Sequence, residues 1–129
     1  MNSLTCFLID DDVDDWEIFC AALDVVAPSC KCITAENGQI ALEMLNAGKV
    51  SPDIVFLDIN MPLMNGPQFL QEINRLKILQ GIPIVVLTTS ADVNTKATML
   101  ESGAEKFITK PDKFFEWEIV LKDVMKEYY

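Results

Sequence analysis

The chain predicts an α/β domain, a doubly wound parallel sheet with helices on both faces in three layers. Short apolar runs alternate with stretches of helical spacing from end to end, in an order that reads as five βα units. The runs are continuous, as in "IVFL" and "IPIVV", which is expected of strands covered on both faces. Crossovers between parallel strands are right-handed, and that rule leaves a doubly wound sandwich as the architecture.

The elements follow in order. Cys6–Ile9 is a first strand. Trp16, Phe19, Leu23 and Val26 recur at helical spacing, and Pro28 stops them. Residues 30–34 make a second strand. A helix over Gly38–Asn46 puts Ile40, Ala41, Met44 and Leu45 on one face, with Gly48 beyond its end. "DIVFLD" (53–58) is a buried strand ending in a carboxylate, and "NMPLMNGP" is a loop punctuated by proline and glycine. A helix from about Pro67 to Leu79 turns Phe69, Ile73 and Leu76 inward. Residues 82–88 are a fourth strand, 93–102 a short helix ending at Gly103, and Lys106–Thr109 a fifth strand. Pro111 is placed to open the last helix, since proline suits a first helical turn. In that helix Phe114, Trp117, Leu121, Val124 and Tyr128 form the packed stripe, leaving Phe115 and Ile119 partly exposed and able to join the preceding helix in one patch.

Composition narrows the function. At 129 residues the chain reads as one domain over 1–129, with no separate output domain. A net charge of −10 argues against a nucleic-acid surface, which needs clustered Lys and Arg. No apolar run approaches a membrane span, and the first residues do not make a signal peptide, so no membrane association and a cytoplasmic address are expected. Histidine is absent, which excludes Cys/His zinc sites and Ser-His-Asp or Cys-His catalysis. The four cysteines form no CxxC pair and read as reduced thiols.

Ligands of such sheets bind beyond the carboxyl ends of the strands. There the first strand runs into "FLIDDDVDD" (7–15), with five carboxylates in six positions. The third strand ends at Asp58, the fourth at Thr88, Thr89 and Ser90, and the fifth at Lys110. Taken singly, each has an ordinary reading. Asp14, Asp15 and Glu17 are favourable charges at a helix N-terminus, Thr88 a strand residue, Lys110 a solvated charge. Taken together they converge. An oxygen-only donor set suits Mg²⁺, which would relieve the repulsion in "DDD". A threonine and a lysine beside it suit a phosphoryl group, and a carboxylate can be its acceptor, as an aspartyl phosphate. Asp58, directly after "IVFL", would pay desolvation unless a charged group met it.

These pieces, in this order and spacing, resemble the receiver domain of two-component response regulators over essentially the whole length. The matching stretches are "LIDDD", "ENGQIALEML", "DIVFLDINMPLMNG", "IPIVVLTTS" and "GAEKFITKP". The resemblance implies a flavodoxin-like fold of sheet order 2-1-3-4-5. It implies that Asp58 accepts a phosphoryl group from a phosphohistidine on a sensor histidine kinase or a histidine phosphotransfer protein. It assigns Asp11 as direct Mg²⁺ ligand, Asp10 as its water-mediated neighbour and Asn60 as donor of a backbone carbonyl. It gives Thr88 and Lys110 the phosphoryl oxygens, and makes Thr88 and Phe107 the switch pair. It also implies a cis Lys110–Pro111 bond. With Asp10 and Asp11 as the acidic pair, Asp12 is the N-cap and Asp15 a weak capping-box partner. Two departures stand out: Thr89 where a small residue is usual, and Phe107 where tyrosine is commoner. The output expected is contact with a downstream protein or a second copy, through a face of the fourth helix, fifth strand and fifth helix. Two rivals remain. A haloacid-dehalogenase-like phosphohydrolase would want an aspartate at position 60, where Asn60 stands. A receiver-like binding module that takes no phosphate would normally have lost one of the key residues.

Overall fold

The computed structural model of the protein describes residues 4–59, 61, 63–89 and 93–128. Strands β1 (Thr5–Ile9), β2 (Lys31–Ala35), β3 (Ile54–Asp58), β4 (Ile84–Thr88) and β5 (Lys106–Thr109) alternate with helices α1 (Val13–Val26), α2 (Gly38–Asn46), α3 (Gly66–Leu76), α4 (Val93–Glu101) and α5 (Phe114–Tyr128). The strands form one parallel sheet in the order β2-β1-β3-β4-β5. This is the flavodoxin-like (βα)5 arrangement.

Alternation along the strands divides the core. Phe7, Ile9, Val55, Leu57 and Val86 face α2, α3 and α4, where they meet Ala41, Leu42, Phe69, Leu70, Ile73 and Met99. Cys6, Leu8, Ile54, Phe56, Val85 and Leu87 face α1 and α5, against Phe19, Leu23, Trp117, Leu121 and Val124. The Phe19 ring meets Phe56 edge-on at 4.9 Å and Trp117 at 5.6 Å.

Several expectations from the sequence need correction. Helix α3 stops at Leu76, because Lys77 turns into the left-handed region (φ 57°) and caps it with an N–H bonded to the Ile73 and Asn74 carbonyls. Leu76 is therefore exposed, and Leu70 fills the inward position instead. Pro111 does not open α5, which begins at Phe114; Pro67 plays that part in α3, behind a capping box made by Asn65 and Gln68. At the ends of the α5 stripe Phe114 is exposed and Tyr128 only half-buried, while Met125 is buried. Phe115 and Ile119 are exposed as expected, and they line a groove with Val25 and Val26 of α1.

One glycine positions the site directly. The Gly66 N–H bonds the Ile59 carbonyl at 2.8 Å, and a Cβ there would come within 2.9 Å of Ile59 Cα and 3.2 Å of the Asp58 carbonyl. The obstacle is backbone and cannot swing away. Gly66→Ala is expected to cost about 1–3 kcal/mol, read as a lower urea midpoint at unchanged slope. An unchanged midpoint would mean that the Asp58 loop yields freely.

Candidate functional site

The site is built at the carboxyl ends of β1, β3, β4 and β5. Asp10 and Lys110 extend their strands by one ladder rung, through Asp10 N–H to the Ala35 carbonyl (3.0 Å) and Lys110 N–H to the Thr88 carbonyl (2.6 Å). By strand parity Asp10, Asp58 and Lys110 fall on the side of the sheet covered by α1 and α5. Thr88 falls on the other side, which it shares with Phe107 across the β4–β5 ladder. Phe107 is half-buried against that half of the core.

Asp10, Asp58 and Thr88 are all buried, at 1%, 5% and 1% exposure, while Asp11 and Thr89 are exposed. One carboxylate oxygen from each of Asp10, Asp11 and Asp58 lies within 4.8 Å of the others. Lys110, itself buried, sets its ammonium 2.8 Å from Asp10, 2.8 Å from Asp15 and 3.7 Å from Asp58. Asn60 lies outside the described residues.

Burial pushes the Asp10 carboxyl above its ordinary value, and the hydrogen bonds from Lys110 and the Asp12 amide oppose the rise. Burial alone would lower the Lys110 ammonium, but hydrogen bonds to Asp10 and Asp15 and the charge of Asp58 outweigh it, and lysine titrates above its usual value. The two directions are compatible: Asp10 has one cation to offset its desolvation, whereas Lys110 has several anions.

Asp12 is the N-cap of α1, accepting from the Asp14 and Asp15 amides. The Asp15 side chain does not close a capping box; it reaches back to Lys110. Reading Asp15 as a simple helix-terminus charge missed this contact. The available signal was its place three residues after the cap, from which side chains lean back toward the helix start and the strand ends. In the same turn Trp16 donates its indole N–H to the Asp10 carbonyl. The Lys110–Pro111 bond is trans, against the cis bond implied by the resemblance; the lysine reaches the carboxylates all the same.

The four cysteines are free thiols. Its hydrogen bond to Cys32, with burial added, pushes the Cys20 thiol far above its ordinary value, so it is a poor nucleophile.

Three clustered carboxylates, a buried lysine and a buried threonine thus gather at the ends of a 2-1-3-4-5 parallel sheet, the arrangement of a receiver-type domain. Residues 6–117 match the family model described as "Response regulator receiver domain", and the chain belongs to that family. It is the receiver domain type of two-component systems. It is 36% identical over 112 residues to a protein-glutamate methylesterase/protein-glutamine glutaminase of Treponema pallidum, covering 85% of this chain and 27% of that protein. It is 31% identical over 126 residues to the phosphate regulon transcriptional regulatory protein PhoB of Pseudomonas aeruginosa, covering 98% of this chain and 53% of that one. The chain thus spans about half or less of these curated relatives. Among solved structures it resembles the phosphorylated cyanobacterial phytochrome response regulator RcpA, with a TM-score of 0.89 and 25% identity over 98% of this chain and 94% of that one. No helix among the described residues is long and apolar enough to cross a membrane.

Proposed function

We propose that the chain is a phosphorylation-dependent signalling switch whose acceptor is Asp58. The observation that carries this reading is the setting of Asp58: a buried carboxylate, clustered with Asp10 and Asp11, with the Lys110 ammonium 3.7 Å away. An Asp58 oxygen attacks the phosphorus of a phosphohistidine on a sensor histidine kinase or a phosphotransfer protein. The O–P bond forms as the P–N bond breaks, and the imidazole leaves with the electron pair. Lys110 offsets charge on the incoming phosphoryl oxygens, and the Thr88 hydroxyl donates to one of them. Little covalent help is needed, because placement and electrostatics dominate such transfers.

The donor set fits a hard divalent cation such as Mg²⁺, being all oxygen and two-thirds buried carboxylate. Asp10, Asp11, Asp58 and the Asn60 backbone carbonyl are the groups that would hold it. When bound it supplies positive charge that offsets the phosphoryl oxygens.

Thr88 and Phe107 share one side of the β4–β5 ladder, so a threonine drawn toward a phosphoryl group leaves space on the side where the phenylalanine packs. The signal then passes to α4, β5 and α5 and on to a downstream protein or a second copy of the chain. The test is incubation with acetyl phosphate and Mg²⁺, and separately with a phosphorylated histidine kinase, followed by intact-mass measurement. One phosphoryl group per chain is the expected gain. No gain from either donor would favour a binding module that takes no phosphate. Sedimentation of both forms reports whether copies associate.

A further inference from the structure

Lys110 is held by more carboxylates than the phosphoryl site requires. Its two 2.8 Å contacts go to Asp10, which closes β1, and to Asp15, which belongs to the first turn of α1. Asp58 stands farther off, at 3.7 Å, beyond a direct hydrogen bond. The Asp15 side chain is only partly covered, at 27% exposure, whereas that of Lys110 is 8% exposed. The lysine is thus the fixed member of the pair, and Asp15 the member able to give way to solvent.

We propose that Asp15 is a positioning residue for Lys110, a counter-ion on α1 that competes with a phosphoryl group on Asp58 for the ammonium. This rests on Asp58 being the phosphoryl acceptor. An ammonium has three donors, and here Asp10 and Asp15 take the two short contacts. A phosphoryl oxygen on Asp58 gains Lys110 most fully when Asp15 releases it. Asp15 therefore sets how strongly the site holds its phosphoryl group. Its release also frees the first turn of α1, where Asp12 caps the helix and the Trp16 indole is tied to the Asp10 carbonyl. Asp15 lies outside the cluster of Asp10, Asp11 and Asp58 that suits a metal, so its part is played through the lysine.

The test uses beryllofluoride, a non-covalent phosphoryl mimic, titrated at saturating Mg²⁺ and followed by fluorine NMR. Asp15→Asn is expected to bind it about three- to fivefold more tightly, the scale of one partly exposed ion pair. Asp15→Glu restores the carboxylate and should return affinity toward that of the unaltered protein. Asp14→Asn removes the same charge from the same turn, at an exposed position, and should change nothing. Equal or weaker binding by Asp15→Asn, or equal tightening by Asp14→Asn, would overturn the assignment. If the unaltered protein binds no beryllofluoride, the acceptor reading itself fails and this inference falls with it.

Discussion

Asp58→Asn is expected to take up no phosphoryl group from acetyl phosphate or from a phosphorylated kinase. The substitution keeps the size and planarity of the side chain, so the buried position at the end of β3 remains filled. What it removes is the anionic oxygen that the proposed transfer requires as its nucleophile, and an amide is no substitute. Asp10 cannot take over. It is buried, held by Lys110 and the Asp12 amide, and burial raises its pKa. Intact-mass measurement checks the expectation: one phosphoryl increment on the unaltered chain and none on the variant. A stable increment on the variant would place the acceptor on another residue, and peptide mapping would name it.

Lys110→Met is expected to destabilise the fold by about 3–5 kcal/mol near pH 7, because it strips the cation from a buried carboxylate while keeping the volume. The loss should shrink in acid, and its sign follows from Asp10. The folded-state pKa of Asp10 lies above its ordinary value of 3.8. Its titration therefore favours folding fully below that value, and the benefit fades as pH rises through the raised one. Lys110 is the main group opposing the rise, so without it Asp10 moves higher still and the window widens upward. Urea unfolding of both proteins near pH 7 and again near pH 4, in the ordinary carboxylate range, should show the gap closing in acid. A gap of constant size would mean that pairing with Asp10 is not what the lysine contributes.

Much of this site was legible in the sequence because each group sits directly after an apolar run, where strand parity and the topology of doubly wound sheets decide its surroundings. Asp58 after "IVFL" is such a case, and so are Asp10, Thr88 and Lys110. Asp15 was not legible in the same way. Acidic residues at a helix start already have a sufficient local reason, and only the closure of β5 beside α1 brings Lys110 within reach. The end of α3 was hidden for a different reason. The left-handed turn there uses Lys77 and Leu79 instead of glycine or asparagine, so no local signal announced it. Periodicity identified Phe115 and Ile119 as exposed, but which neighbour they meet depends on helix packing across the sheet. The isomer of the Lys110–Pro111 bond is likewise a property of the folded surroundings.

The division of the core by the sheet also has a consequence for how the chain is made. The face under α2, α3 and α4 draws its helices from the middle of the chain. The other face joins α1 to α5, with Phe19 set against Trp117, and so links nearly opposite ends of the folded sequence. During synthesis the apolar side of α1 leaves the ribosome early and meets Phe56 of β3 midway, but it waits for α5, the last element, before Trp117 covers it. Closing so long a loop carries a larger entropic cost than the local contacts. The α1–α5 face is therefore expected to be the last to gain protection from hydrogen exchange in a pulse-labelled refolding experiment.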